Sequence, residues 1–119
     1  GRILEDLYKP LNTAIFKADP TTTEISKIVN NAYLATVISF WNEVYSICDK
    51  LKVNINQVAK FCILDRRVSH YGTEVFSHPF GGVCIPKDLE QLLMAAKEVD
   101  IDAIFLKGVK EVNERLKKK

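Results

Sequence analysis

The stretch between Pro20 and Gly72 limits the possible folds of this sequence more than any other feature, because it contains neither glycine nor proline. Its apolar residues recur at the i, i+3, i+4 spacing of one helical face, and a second apolar stripe overlaps the first. The first stripe comprises Ile25, Ile28, Val29, Ala32, Ala35, Phe40, Val44, Ile47, Cys48 and Leu51, and the second comprises Tyr33, Leu34, Val37, Ile38, Trp41 and Tyr45. This pattern predicts one helix from about Thr22 to Lys52.

The start and the length of this helix carry further information. Thr21 and Glu24 have the spacing of a capping box, and Thr22 or Thr23 could serve as the cap instead. The helix would be about 45 Å long, whereas a compact domain of this size is only about 30–35 Å across. Because the helix outreaches its own domain and is apolar around much of its circumference, another surface must cover it. We predict a homodimer through this helix, with a domain outside this chain as the alternative cover.

Three shorter helices are predicted after the long one. The first is capped around Asn54 and runs from Gln57 to about Leu64, and the second begins at Pro86 and reaches Val99. A cap within residues 100–102 starts the third, which ends near Leu116. The inward-facing residues of the first are expected to be Val58, Phe61, Cys62 and Leu64.

An irregular segment separates these helices between Ser69 and Ile85. It contains aromatic residues, His70, His78 and paired glycines. Long loops without secondary structure are uncommon in compact domains and often carry function. We therefore predict an all-α fold built on one long central helix, with one long loop.

Charge, hydropathy and cysteine content exclude several classes of protein. The 17 Lys and Arg residues against 15 Asp and Glu give a net charge of +2, which is too small for a nucleic-acid binder. We see no apolar run of about 20 residues and therefore expect no membrane partner. Cys48, Cys62 and Cys84 are odd in number and widely spaced, which argues against a disulfide framework or a metal site. We expect a cytoplasmic protein.

One candidate site lies where the loop meets the helix predicted at Pro86. The adjacent glycines Gly81 and Gly82 allow the backbone to approach a ligand closely. Cys84 comes just ahead of that helix, whose positive N-terminal end favours a thiolate. Lys87 adds positive charge, and Asp88 can orient a water molecule. The alternative is that Cys84 is a small buried hydrophobic residue and Asp88 a helix-start residue.

A second candidate pair lies on the long helix. Lys27 and Asn31 are four residues apart, project from the same side and flank the apolar stripe. An ammonium and an amide in this arrangement can act as two donors for an oxyanion. The alternative is a solvated lysine and a surface asparagine.

Taken together, these motifs resemble the central domain of the UDP-glucose/GDP-mannose 6-dehydrogenase family, from about Asp19 to Leu116. The matching segments, in order, are Glu24, Lys27 and Asn31 with N-N-A-Y-L-A following, Asn42-Glu43, Asp65–Val68, and F-G-G-V-C-I-P-K-D at Phe80–Asp88. The resemblance implies a dimeric helical domain like the C-terminal-like domain of 6-phosphogluconate dehydrogenase. Residues 1–19 would be a connector left from the preceding domain, and residues 20–119 the central dimerisation domain.

The resemblance also implies a reaction. The family oxidises the C6 hydroxymethyl group of a nucleotide sugar to a carboxylate in two hydride transfers to NAD. Cys84 matches the nucleophile, which forms a thiohemiacetal and then a thioester. Lys27 and Asn31 match the residues that stabilise the oxyanion. Asp88 matches the carboxylate that positions or activates the hydrolytic water.

Other positions match ligand contacts of the family. Arg67 matches an arginine that reaches the sugar nucleotide of the neighbouring subunit, while Tyr71, Phe80 and Gly81 fall where substrate contacts are made. Lys87 matches a lysine near the cofactor phosphates. The sequence departs from the family at Val83, where relatives commonly carry serine, histidine or tyrosine, and at Ile85, where an aromatic residue or leucine is frequent. Arg66 could take the place of Arg67.

A glycine-rich G-x-G-x-x-G motif after a strand does not occur in this sequence. The family places an NAD-binding Rossmann domain before the central domain and a UDP-binding domain after it. We therefore expect NAD to be bound mainly by a domain absent from this chain, and the chain alone to be inactive. Three alternatives remain open: oxidation of GDP-mannose or a UDP-N-acetylhexosamine, a non-catalytic helical dimerisation module, and a thiol acyltransferase or hydrolase using Cys84.

Overall fold

A computed structural model of the chain describes residues 20–118, which form four helices with no strand among them. The helices are α1 at Pro20–Leu51, α2 at Ile55–Cys62, α3 at Cys84–Glu98 and α4 at Ile104–Lys117. The predicted all-α fold with one long central helix is confirmed. The predicted connector, residues 1–19, lies outside the described residues.

The length of α1 sets the shape of the molecule. Its 32 residues span about 48 Å, and the chain measures 49 × 34 × 24 Å. The helix therefore runs the full length of the domain and does not extend beyond it. The prediction that it outreaches its own domain is wrong, because the domain is elongated along the helix rather than about 30–35 Å across. The predicted threonine caps are wrong, because Pro20 is already helical and Thr21 lies inside the first turn.

The short helix α2 confirms one prediction and corrects another. Asn54 is its N-cap, and the side-chain Oδ1 accepts a hydrogen bond from the Asn56 amide at 2.8 Å. The helix begins two residues earlier than predicted. Its inward face carries Ile55 and Ala59, and Val58 and Cys62 pack inward beside them as predicted. The inward positions predicted for Phe61 and Leu64 are wrong. Phe61 is 77% exposed, and Leu64, which follows the end of the helix, is 75% exposed.

Helices α3 and α4 also begin differently from the prediction. Cys84 is the first residue of α3 rather than the residue ahead of it, and Pro86 lies in the first turn, where its missing N–H has no helical partner to lose. Asp100 does not cap α4: its φ of 57° closes the C-terminus of α3, and the Ile101 amide donates to the Ala96 carbonyl at 2.8 Å. The N-cap of α4 is Ala103, without a side-chain hydrogen bond.

The core has two parts arranged along α1. The first half of α1 packs against α3 and α4, and the second half of α1 packs against α2 and the loop. The buried residues of the first part are Ala32, Ala35, Phe80, Leu89 and Val109, and those of the second are Trp41, Cys48, Ile55 and Ala59. The candidate functional residues lie at the first part.

The segment between α2 and α3 lies along α1. Gly72 has a φ of +84°, and a Cβ atom there would lie 3.1 Å from the Val37 Cγ1. The Phe76 ring stacks on Tyr45 with ring centres 6.2 Å apart, and it meets Trp41 edge-on at 6.3 Å. The loop is therefore anchored to the long helix by packing.

One side of α1 is left uncovered by the rest of the described chain. Its exposed apolar residues, between 40% and 65% accessible, are Ile25, Val29, Tyr33, Phe40, Ile47 and Leu51. The two predicted stripes are thus divided between a buried and an exposed face. None of the helices within residues 20–118 combines the length and hydropathy needed to cross a membrane.

Candidate active site

The candidate site forms where α1 meets the first two turns of α3. The Asn31 Nδ2 atom donates a hydrogen bond to the Asp88 Oδ2 at 2.7 Å, across 57 residues of sequence. Asp88 is only 1% exposed, and Asn31 is partly buried. The structure therefore brings together the two groups of residues that the sequence singled out separately.

The Asp88 carboxylate has a cationic partner on its other oxygen. The Lys87 Nζ atom donates to the Asp88 Oδ1 at 2.7 Å. The hydrogen bonds from Lys87 and then Asn31 hold the pKa of Asp88 below its usual range, although burial opposes them, and the charges of Lys87 and Lys27 act in the same direction. Asp88 is therefore ionised at neutral pH.

Lys87 is the centre of a small charge cluster. The hydrogen bond to Asp88 raises the pKa of Lys87 most, and the charges of Asp88, Cys84 and Glu24 raise it further. Glu24 comes from the first turns of α1, so both helices contribute to the cluster. Nζ has two further N–H donors and the side chain is half exposed, so the bond to Asp88 leaves Lys87 able to contact a phosphate as well.

Cys84 is exposed at the start of α3. It lies four residues before Asp88, which places it one turn away on the same side of the helix. Its exposure gives a ligand access to the sulfur. Cys48, in contrast, is buried in the core at 8% exposure. The alternative of Cys84 as a buried hydrophobic residue is wrong.

Lys27 lies one turn before Asn31 on α1 and is exposed. Its charge acts on the buried Asp88 carboxylate. An exposed ammonium next to Cys84's helix and an amide with one remaining N–H give this corner two donors. The arrangement can stabilise negative charge on an oxygen atom bound between them.

Arg67 lies on the surface turn after α2. Its guanidinium forms two hydrogen bonds with the Asp65 carboxylate, at 3.0 and 2.7 Å, and the side chain is 89% exposed. This pairing raises the pKa of Arg67 and lowers that of Asp65. Among the described residues Arg67 pairs with Asp65, so the folding of one copy does not bring it into the Cys84 cluster.

Tyr71 and Phe80 border a cavity of about 560 Å³ between the loop and α1. Tyr71 is 44% exposed, whereas Phe80 is only 5% exposed because its ring belongs to the core. Gly81 is exposed, and a Cβ atom on it would meet nothing within 4 Å. Open space therefore surrounds Gly81, three residues before the candidate nucleophile.

Two residues that hold the loop leading to Cys84 were given no chemical role by the sequence, although Asn42 belongs to one of the segments that match the family. Asn42 on α1 and Asn113 on α4 are each 3% exposed and bond to the backbone of the loop that leads to Cys84. The sequence feature that could have identified them is a neutral polar residue at a position of the helix that faces the core. Within residues 20–118, His, Cys, Asp and Glu side chains do not gather into a group of three that could hold a metal ion.

The sequence of this chain is similar to those of known proteins. The family model for the central domain of the UDP-glucose/GDP-mannose dehydrogenase family matches residues 21–115. The chain is 37% identical over 110 residues to the UDP-glucose 6-dehydrogenase YwqF and 34% identical over 113 residues to the UDP-glucose 6-dehydrogenase TuaD, both of Bacillus subtilis. It is 34% identical over 122 residues to a UDP-glucose 6-dehydrogenase of Campylobacter jejuni. These alignments cover 92%, 95% and 99% of the chain but only 25%, 24% and 30% of the relatives, so the chain spans about a quarter of their length.

Proposed function

Because this chain belongs to the UDP-glucose/GDP-mannose dehydrogenase family, whose central-domain model covers residues 21–115, we propose that it supplies the nucleophile of a nucleotide-sugar 6-dehydrogenase. The contact between Asn31 and Asp88 carries the proposal, since it sets the lysine–asparagine turn of α1 against the turns of α3 that hold Cys84. The names of the similar proteins favour UDP-glucose as substrate over GDP-mannose or a UDP-N-acetylhexosamine.

The first step assigned to this chain is nucleophilic addition. The Cys84 thiolate forms a bond to the carbon of the C6 aldehyde, and the C=O electron pair moves onto oxygen. The Lys27 ammonium and the second N–H of Asn31 stabilise the resulting oxyanion. Both donors come from one helix, one turn apart.

The last step is hydrolysis of the thioester. Water adds to the thioester carbonyl and the carbon–sulfur bond breaks, which yields the carboxylate and the Cys84 thiolate, and the two protons of the water pass to the solvent. Asp88 is a weak general base at neutral pH, because its pKa is lowered by Lys87 and Asn31. We therefore assign to Asp88 the orientation of the water and of its two partners, rather than removal of a proton.

The described residues do not fit the nicotinamide cofactor that would accept the hydride. Residues 20–118 form only helices, so this part of the chain lacks the strand, glycine-rich turn and helix that hold a dinucleotide. We propose that NAD is bound by a domain outside this chain. The 119-residue chain alone should then show no turnover.

The uncovered face of α1 supports the proposal of a homodimer. Six apolar side chains from Ile25 to Leu51 lie exposed along its length, which is unusual for the surface of a monomer. We propose that the same face of a second copy covers them, in a domain of the 6-phosphogluconate dehydrogenase C-terminal-like type. In such a dimer Arg67 could reach the substrate of the partner subunit, and it would have to release Asp65 to do so.

The test of the catalytic proposal uses the complete reading frame that contains this chain. With UDP-glucose and NAD, Cys84→Ala should lower the rate of NADH formation by at least about 10³-fold. Cys62→Ala is the matched control, because Cys62 is a partly buried thiol of α2 outside the site. Equal activity of the Cys84→Ala variant and the wild type would contradict the proposal and favour a non-catalytic dimerisation module.

A further inference from the structure

Two buried asparagine side chains hold the backbone of the segment just before the glycine pair. Asn42, on α1, accepts a hydrogen bond from the Ser77 amide through its Oδ1 at 2.7 Å. Its Nδ2 donates to the His78 carbonyl at 2.8 Å. One side chain thus satisfies two backbone groups of a segment without helix or strand.

Asn113, on α4, forms the second attachment. Its Oδ1 accepts from the Phe80 amide at 2.7 Å, and its Nδ2 donates to the Phe80 carbonyl at 3.2 Å. The amide acts as a neighbouring strand would, by pairing with both polar groups of one residue. Only an amide side chain offers a donor and an acceptor side by side, so alanine, leucine or aspartate cannot reproduce the pair.

The helix that carries Cys84 is weakly held at its start. Its N-cap Val83 provides no side-chain hydrogen bond, and the first backbone bond, from the Lys87 amide to the Val83 carbonyl, is 3.3 Å long. Pro86 has no N–H to contribute. A first turn of this kind depends on neighbouring structure to stay in place.

The neighbouring structure is Phe80. Only residues 81–83 separate it from Cys84, and two of them are glycines, which restrict the backbone least. Phe80 is fixed by its buried ring and by Asn113. If Phe80 were released, the glycine pair would let the turn with Cys84 move relative to Lys27 and Asn31.

We propose that Asn42 and Asn113 are positioning residues for Cys84. They hold residues 77–80 against α1 and α4, and thereby keep the nucleophile aligned with the oxyanion donors on α1. The inference rests on the proposed function, because a positioned nucleophile has meaning only if Cys84 reacts. Neither asparagine contacts the Cys84 cluster itself, so each acts through the loop.

The kinetic test compares Asn113→Ala and Asn42→Ala with Ser39→Ala in the complete reading frame. Ser39 is the matched control: it is 4% exposed, and its Oγ donates to the Val109 carbonyl of α4 at 3.1 Å without touching residues 77–80. A displacement of about 1 Å costs on the order of 10²-fold in rate. We expect kcat to fall 10- to 100-fold in both asparagine variants, while the KM for NAD stays within twofold and Ser39→Ala keeps kcat within twofold.

A measurement on the wild-type chain keeps the inference testable if the asparagine variants do not fold. Amide hydrogen exchange by NMR should show the Ser77 and Phe80 amides exchanging at least 100-fold more slowly than the Gly82 amide. Equal exchange at the three positions would overturn the inference, as would folded asparagine variants whose kcat matches that of Ser39→Ala. Failure of the proposed function gives a different result, namely turnover that survives Cys84→Ala.

Discussion

Replacing Gly81 with alanine should stabilise the chain and impair the enzyme. A Cβ atom at Gly81 meets nothing within 4 Å, and the backbone there lacks the positive φ found at Gly72 and Gly82. Alanine therefore fits the folded chain without strain. Gly81 lies three residues before Cys84, so under the proposed function the added methyl group would lie close to the bound nucleotide sugar.

The expected magnitudes differ in sign between Gly81 and a control glycine. At an unstrained position, glycine to alanine stabilises by about 0.4–1 kcal/mol through the unfolded state, which corresponds to a rise in Tm of about 2–8 °C. Gly72→Ala is the control, because its φ of +84° and a contact of 3.1 Å to the Val37 Cγ1 both oppose alanine. Left-handed backbone costs about 1–2 kcal/mol, so Gly72→Ala should lower Tm by about 4 °C or more.

Two assays separate stability from function. Thermal unfolding of the 119-residue chain by circular dichroism gives the Tm of each variant. In the complete reading frame, crowding of the substrate by one methyl group costs about 1–3 kcal/mol, or about 5- to 150-fold in kcat/KM for UDP-glucose. A Gly81→Ala variant that is less stable than Gly72→Ala would refute the structural reasoning. A stabilised variant with unchanged kcat/KM would show that the substrate does not use this space.

Three further predictions concern charge, assembly and thiol reactivity. Lys87 and then Asn31 lower the pKa of Asp88 in the folded chain. The ionised carboxylate therefore stabilises the fold above its unfolded pKa near 4, and this contribution is lost as the pH falls through the lower folded value. The urea midpoint of Asp88→Asn should accordingly depend less on pH below about 4 than that of the wild type. Phe40, 56% exposed on α1, should be essential to the dimer, so Phe40→Glu should sediment as a monomer under conditions where the wild type is a dimer; a monomeric wild type would contradict the assembly. Iodoacetamide at neutral pH should modify the exposed Cys84 at least about tenfold faster than buried Cys48, as resolved by mass spectrometry, and equal rates would contradict the accessible position of Cys84.

Much of the fold could be predicted because its strongest signal is local. A long run without glycine or proline and with a helical period specifies α1 regardless of what surrounds it. The helical spacing of apolar residues does not determine which of them are buried in α1, because apolar stripes cover most of its circumference. The elements that pack against α1 determine which side is buried. Phe61 and Leu64 show the same limit on a shorter scale, because they are as apolar as the inward-packed Val58 and Cys62 but lie exposed. Only the contact of α2 with α1 and the loop selects which apolar residues are buried.

The reactive residues of the candidate site could be predicted from the sequence, whereas the residues that hold the loop before Cys84 could not. Residue type and spacing were enough to identify Cys84, Lys27 and Asp88 as candidates, since thiolates, ammonium groups and carboxylates have few roles near helix starts. The function of Asn42 and Asn113 has no such pattern, because their partners are backbone groups of an irregular segment, and the match of Asn42-Glu43 to the family did not indicate what Asn42 does. Each asparagine is about 35 residues from its loop partners in the sequence, so no short-range pattern indicates that they are hydrogen-bonded.

The hydrogen bond between Asn31 and Asp88 depends on residues that have no chemical role. Asparagine has a short side chain, so the 2.7 Å bond requires α1 and α3 to approach closely. Ala32 and Ala35, at 2% and 0% exposure, permit that approach because small side chains at a crossing reduce the distance between helix axes. A larger side chain at Ala35 would separate the helices and leave the buried Asp88 carboxylate without one of its two partners, which is costly for an ionised group. The geometry of the site is therefore set by the packing of α1 on α3 as much as by the reactive groups themselves.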